Sequence, residues 1–237
     1  IFKFYFYILI MHFINLFHKY STIANMKFVP NILKAFLINL CFIGIIFASE
    51  SCPAVSPKIA GDNPTDQVDA ILNDIVCSFI DLQAGNNGTL ASTLNLTKKK
   101  ILPYIDLEYF TEMALGNYWD QLDSRQKKIF ERDIKNSLIE EYVVILSSFN
   151  DWEDVQISVN EDFSQIENMA KVKVSVSLEN EDGKTTVTLK LIRSNRWKIY
   201  DLDYQTISIV DMEKMGYDSK IKRQGIEKLI QKMLNKS

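Results

Sequence analysis

Apolar positions recur every four residues through the first half of the chain and every two through the second. Between Ile101 and Leu146, the residues Phe130, Ile134, Leu138 and Tyr142 stand four apart, and Ile145 and Leu146 continue the stripe. Lys127, Lys128, Glu131, Arg132, Lys135, Asn136, Glu140 and Glu141 fill the other side, so the spacing predicts an amphipathic helix. Asp123 with Gln126 resembles a capping box at its start, a carboxylate standing in for the usual hydroxyl. A shorter helix precedes it, with Asp106 as N-cap, running through Met113 and Leu115 to an end or bend at Gly116. Further upstream, Asn63-Pro64 reads as the cap and first turn of a helix through Val68, Ile71, Leu72, Ile75, Val76 and Phe79 to near Gly85. Gly85-Asn86-Asn87-Gly88 is a turn, and Leu90 to Ile101 a short helix leading into Pro103.

After Asn150 the period falls to two. Val155, Ile157 and Val159 alternate, as do Val172, Val174, Val176 and Leu178 against Lys171, Lys173, Ser175 and Ser177. Glu181-Asp182-Gly183-Lys184 predicts a hairpin turn, answered by Val187, Leu189 and Leu191. Ser194-Asn195 turns again, and Trp197 to Leu202 makes the last of four strands. Ile207, Ile209 and Val210 then lead into a helical tail that breaks at Gly225 and resumes as Ile226 to Leu234. Helices, a four-stranded antiparallel meander with one apolar face, then helices again predict an α+β fold, the helices packed on one face of a curved sheet. Such sheets often enclose an apolar pocket, as in the cone-shaped NTF2-like architecture.

The ends and the charge sharpen this picture. Residues 1–25 lack acidic side chains and read as translated sequence upstream of a start at Met26. Residues 26–48 have the form of a secretory signal: Lys27 and Lys34, then the apolar run Ala35 to Phe47, then Ala48. Residues 49–62 read as a flexible linker, and 63–237 as the domain. His12 and His18 both lie in the leader, and without residues 1–48 the formal charge goes from −3 to −7. A nucleic-acid partner is therefore not expected. Lys98–Lys100 reads as a solvated turn. Cys41 falls in the apolar run, Cys77 on a helix among apolar neighbours, and a Cys52–Cys77 disulfide fits an oxidising compartment.

Catalytic chemistry has little to work with. Beyond the leader there is no histidine, hence no Ser-His or Cys-His nucleophile and no His-bearing metal set, and the chain has neither a Gly-rich phosphate loop nor a CxxC pair. Asp201 and Asp203, beside Tyr200 and Tyr204, would suit proton abstraction next to a carbonyl in an apolar cone; their plainer reading is a solvated strand end. The aromatic excess, including Trp119, Phe130 and Tyr142, fits either ordinary core or the lining of a pocket for a long apolar ligand.

Two signatures carry a family resemblance. The run ILPYIDLEY, then ALGNYW, then S-x-Q into F-x-x-x-I-x-x-x-L-x-x-x-Y resembles the MlaC family. So does the distal stretch RWKIYDLDYQTISIV followed by KIKRQGIEKLIQKM, with Trp197, Tyr200, Asp201, Ile207-Ser208, Arg223, Gly225, Ile226 and Leu229 in the family's order. The family often has Glu-Gly before its Val-Ser where this chain has Gln205-Thr206, and Asn-Tyr where this chain has Asp211-Met212-Glu213. The resemblance implies a periplasmic carrier, expected as a monomer, holding phospholipid as cargo rather than a cofactor and performing no catalysis. Its implied partners are an inner-membrane ABC transporter with an MCE-domain component and an outer-membrane lipoprotein complex, the pathway that maintains outer-membrane lipid asymmetry. Trp119, Phe130, Ile134, Leu138, Tyr142, Val174, Val176, Val187, Leu189, Ile209 and Met212 are the expected lipid contacts, with Ile134, Leu138 and Tyr142 opposite Val174, Val176, Val187 and Leu189. The alternatives are an isomerase- or hydratase-type enzyme using Asp201 or Asp203, a carrier of a hopanoid-type lipid, and a structural envelope protein.

Overall fold

The computed structural model describes Cys52 and residues 63–85, 87–179 and 183–235. The expected upstream segment, the signal, the linker apart from Cys52, and Glu181-Asp182 of the hairpin turn lie outside the described residues.

Local chemistry sets the helix starts. In α1 (Pro64–Ala84), Asn63 Oδ1 accepts from the Thr65 N–H at 2.9 Å and proline occupies the first turn. Cys77 of α1 is disulfide-bonded to Cys52. α2 (Leu90–Lys100) is capped by Thr89 and ends on Lys98, Lys99 and Lys100, cations at the negative end of the helix dipole. The lysine run is thus the helix's last turn, with Lys98 and Lys99 exposed, and Lys100 Nζ reaches Asp74 of α1 at 2.8 Å. α3 (Leu107–Leu115) is capped by Asp106, and Gly116 ends it at φ +52°. A 3₁₀ segment (Gly116–Gln121) then brings Trp119 inward. α4 (Ser124–Ser148) opens on the reciprocal capping box: Gln126 N–H to Asp123 at 2.8 Å, Asp123 N–H to the Gln126 side chain at 2.9 Å.

The sheet is open and antiparallel, in the order β1 (Val155–Ile166), β2 (Met169–Leu178), β3 (Lys184–Arg193), β4 (Trp197–Tyr204), β5 (Ile207–Ser208). Val159↔Val174 and Val174↔Val187 are paired, as are Leu189↔Leu202 and Leu191↔Ile199, which puts the apolar residues on one face. β1 lies at the edge and shifts register between Val159 and Phe163. The fifth strand corrects the four-strand expectation: Ile207 and Ser208 pair with Tyr204 and Asp203 of β4 before the helix starts. Gln205 (φ +47°) and Thr206 (φ +71°) make this possible by both taking left-handed backbone, the requirement of a tight hairpin turn, although neither is glycine. Ser208 then caps α5 (Ile209–Gln224), accepting from Asp211 N–H at 3.0 Å. Gly225 at φ +83° separates α5 from α6 (Ile226–Leu234).

Two apolar clusters result. One joins Val68 of α1 to Val172, Val174, Leu189, Leu191 and Trp197 of the sheet, with Leu72, Val176, Val187 and Leu202 at its margin. Gln67 pins that contact: its buried amide donates to the Trp197 carbonyl and accepts the Trp197 N–H. The other is helical, gathering Phe110, Leu115, Phe130, Ile134, Tyr217, Ile221 and Leu229 from α3, α4, α5 and α6.

Candidate functional site

The expected contact residues divide between these clusters. Trp119, Phe130 and Ile134 are buried in the helical one, the last two at 0% exposure, with Leu138 and Ile209 at its margin. Val174 and Leu189 are buried in the sheet cluster, with Val176 and Val187 at its margin. Tyr142 and Met212 are half-buried. The expected facing of Ile134 toward Val174 and Leu189 is therefore not formed. Those strand residues pack on α1, and Ile134 packs among helices. The reason is helical geometry: a four-residue step overshoots a full turn by about 40°, so the stripe from Phe130 to Leu146 rotates through about 160°. Its front half belongs to the helical core, while Leu138, Tyr142 and Leu146 look progressively elsewhere and stay partly exposed.

Tyr142 sits among carboxylates. Burial raises its phenol pKa, and Glu141, Glu213 and Asp201 add to the rise. Tyr217 of α5, which the sequence pattern did not single out, is 1% exposed and donates to Asp133 of α4 at 2.9 Å. Its ring meets Phe130 edge-on at 5.8 Å between centroids. The signal for it was weak, since α5 is polar on most sides and Tyr217 is one aromatic among charges.

Asp201 is neither catalytic in form nor solvated. It is 4% exposed. Its Oδ1 accepts from Leu202 N–H at 2.8 Å and Val210 N–H at 3.0 Å, and its Oδ2 from Ser208 Oγ at 2.7 Å and Lys190 Nζ at 2.8 Å. Four donors occupy a carboxylate's four acceptor sites, leaving none for a substrate proton. Lys190 also reaches Asp203 at 2.7 Å. Burial works against the Lys190 charge, but its hydrogen bonds to Asp201 and Asp203 prevail and raise its pKa.

A cleft of about 670 Å³ opens between the C-terminal ends of α1 and α4 and the segment Phe149–Asp154. None of the expected contact residues lines it, although Leu146, at the end of the α4 stripe, does. Phe79 stacks on Trp152 in its wall at 4.2 Å between centroids, and Phe149 meets Trp152 edge-on at 5.0 Å. Sequence reading placed Phe79 on its helix but did not connect it with Trp152, because the pair is distant in the chain. Among the described residues no helix is long and apolar enough to cross a membrane, and no group of three or more His, Cys, Asp or Glu is placed to hold a metal ion.

Comparison with known proteins agrees with this architecture. The family model described as "MlaC protein" matches residues 71–235. The intermembrane phospholipid transport system binding protein MlaC of Haemophilus influenzae is 24% identical over 162 residues, covering 65% of this chain and 74% of that protein. A phospholipid-binding protein from Ralstonia solanacearum, solved in complex with a phospholipid, superposes with a TM-score of 0.60 at 21% identity, over 71% of this chain and 93% of that one; this likeness shows the shared fold. The family match spans both signature stretches and nearly the whole described domain, so the chain belongs to the MlaC protein family.

Proposed function

We propose that this protein is a phospholipid-binding carrier that shuttles lipid between membrane complexes across the periplasm. The observation that carries the reading is the family match over residues 71–235. The Haemophilus relative is a binding protein of an intermembrane phospholipid transport system, and the Ralstonia neighbour holds a phospholipid. The Cys52–Cys77 disulfide supports an oxidising compartment, as does the signal-like stretch before it. On this reading the partners are an inner-membrane ABC transporter with an MCE-domain component and an outer-membrane lipoprotein complex, and the traffic maintains outer-membrane lipid asymmetry.

The physical task is transfer of apolar surface. Exposing an acyl chain of about 16 carbons to water costs on the order of 13 kcal/mol, at ~0.8 kcal/mol per methylene. A carrier has only to match the bilayer as a host, and needs no turnover chemistry. The acyl chains are assigned to the margin between the two clusters, along Leu138 and Tyr142 of α4, Val176 and Val187 of the sheet, and Ile209 and Met212 of α5. These side chains are apolar or aromatic and only partly covered, so a chain laid against them completes their burial. The saturated carboxylate of Asp201 speaks against the isomerase- or hydratase-type alternative as far as it rests on Asp201, and Asp203 is ion-paired with Lys190.

Native mass spectrometry of the purified protein tests the proposal. The expected result is an added mass equal to one or more phospholipids, regained from vesicles after delipidation. A protein that carries no lipid and takes none from vesicles overturns it. A hopanoid mass would redirect the cargo while keeping the carrier.

A further inference from the structure

We infer that the outward face of α5 docks on an anionic lipid bilayer. The inference rests on the carrier reading and names the side of the molecule that meets the membrane. α5 buries Val210, Tyr217 and Ile221, which at about 100° per residue share one side of the helix. Within about 60° of the opposite direction stand Met212, Met215, Gly216, Ser219, Lys222 and Arg223, with no carboxylate among them. Met215 is 51% exposed, and Lys222 and Arg223 are exposed as well. The face is therefore apolar toward the start of the helix and cationic toward its end, with about 16 Å from Met212 to Arg223. Ile207, 39% exposed, precedes it on β5.

Charge along the chain is segregated in the same sense. Between positions 220 and 232, Lys220, Lys222, Arg223, Lys228 and Lys232 stand against Glu227 alone, in a chain that is net acidic. Lys228 and Lys232 are exposed on α6, whose Leu229, Ile230 and Met233 are buried, and Lys232 donates to Gln224 at the end of α5. Asp218, held by Lys222 and Tyr118, and Glu227 offset two of these cations and leave a net positive surface. Asp211 lies to the side of the outward stripe, in the first turn of α5. On α4, Asp133 and Glu140 flank Met233 together with Arg132, and Asp133 is bound by the Tyr217 hydroxyl. Cations at a helix end favour its dipole, which by itself accounts for Lys222 and Arg223. It does not account for the exposed methionine on their face. A bilayer accounts for both, because apolar side chains enter the headgroup boundary while lysine and arginine stems reach the phosphates. An acidic protein surface is the poorer fit, since protein interfaces are depleted in lysine and four of the five cations are lysines. Met212 ties the dock to the cargo. It belongs to the outward stripe and to the margin assigned to the acyl chains, so a lipid leaving the bilayer enters beside the docked helix.

The test is co-sedimentation with vesicles of phosphatidylcholine alone and of phosphatidylcholine mixed with phosphatidylglycerol. Binding to the anionic vesicles is expected, about tenfold or more weaker on the neutral ones and falling as salt is raised. Lys222→Gln with Arg223→Gln should lower it by on the order of tenfold, and Met215→Gln by about threefold. All three positions are exposed, so circular dichroism should show the fold unchanged. Lys98→Gln with Lys99→Gln removes the same charge from the end of α2 and should leave binding within about twofold of the parent. Lipid uptake from the same vesicles, read by native mass spectrometry, separates this inference from the carrier reading. Docking with uptake supports both. Docking without uptake supports the face and overturns the carrier reading. Uptake with no preference for anionic vesicles overturns the inference, the result expected if the face serves an acidic protein. Neither docking nor uptake overturns both. Unchanged binding in either α5 variant overturns the inference, and so does a control pair as damaging as the α5 pair, because net charge alone would then drive binding.

Discussion

Lys190 and Asp201 meet across β3 and β4, Nζ 2.8 Å from Oδ2, on the polar side of the sheet. The same carboxylate holds the hydroxyl of Ser208 and the N–H of Val210, so the first turn of α5 hangs on a strand residue. Removing the counter-charge in Lys190→Met should cost about 3 kcal/mol, since it leaves a buried carboxylate without its cation. Asp201→Asn should cost about 2 kcal/mol, because an amide turns donors toward donors. Urea denaturation measures both, and both proteins should still take up lipid below their unfolding transitions. An Asp201→Asn protein as stable as the parent would show that the carboxylate does not fix α5.

Alkaline pH should find the same region. The phenols of Tyr142 and Tyr217 are raised by burial first, with nearby carboxylates adding to it, and Lys190 is raised by its aspartates against the opposing effect of burial. Each folded value lies above its unfolded reference, 10.0 for tyrosine and 10.5 for lysine. The stability these groups lend is complete below the reference and is lost as pH climbs toward the folded value. Above about pH 10 each should remove about 1.4 kcal/mol per pH unit. Denaturation midpoints across the alkaline range read this out. Tyr217→Phe should be weaker at neutral pH, having lost its bond to Asp133, yet decline less steeply above about pH 10.

The turn between β4 and β5 should reward glycine. Thr206 is β-branched and holds φ +71°. Left-handed backbone at such a residue stores on the order of 1 kcal/mol or more. Thr206→Gly is expected to raise stability by about 0.5–1 kcal/mol after glycine's own entropy cost. A loss of stability would mean that the threonine side chain makes a contact worth more than the strain.

Ile134 and Leu138 should separate core from cargo surface. Ile134 is 0% exposed, so Ile134→Ala is expected to cost about 2–5 kcal/mol whether lipid is present or not. Leu138→Trp should fold with little loss and lower the lipid bound per chain. Thermal unfolding of delipidated protein and lipid stoichiometry are the measurements. A Leu138→Trp protein destabilised by more than about 3 kcal/mol yet still fully loaded would place the acyl chains elsewhere.

Helix starts were the most legible feature, because Asn63, Asp106 and Asp123 announce themselves by capping chemistry within a few residues. The strands were legible through alternation, and the family through two motifs at opposite ends of the domain. The fifth strand escaped because its turn uses Gln205 and Thr206, residues that do not advertise positive φ. The partner of each apolar face escaped for another reason: periodicity says that a face is buried, not what buries it. Thus Val68 and Leu72 claimed the sheet that the α4 stripe was expected to cover. The Phe79–Trp152 stack joins residues far apart in the chain, and the Asp201 hub escaped because its donors are gathered by strand pairing and a hairpin turn that no periodicity marks.

β1 is the sheet's edge, and its outward amides and carbonyls are a template onto which another strand can add. Its register shift falls at Asn160-Glu161-Asp162, so the strand is broken in its middle by a bulge bearing two negative charges. A second copy approaching edge to edge would meet a kink and its own repelling acids. The consequence is solubility under crowding: the longer of the sheet's two edges is kept from becoming a seed for fibrous self-association.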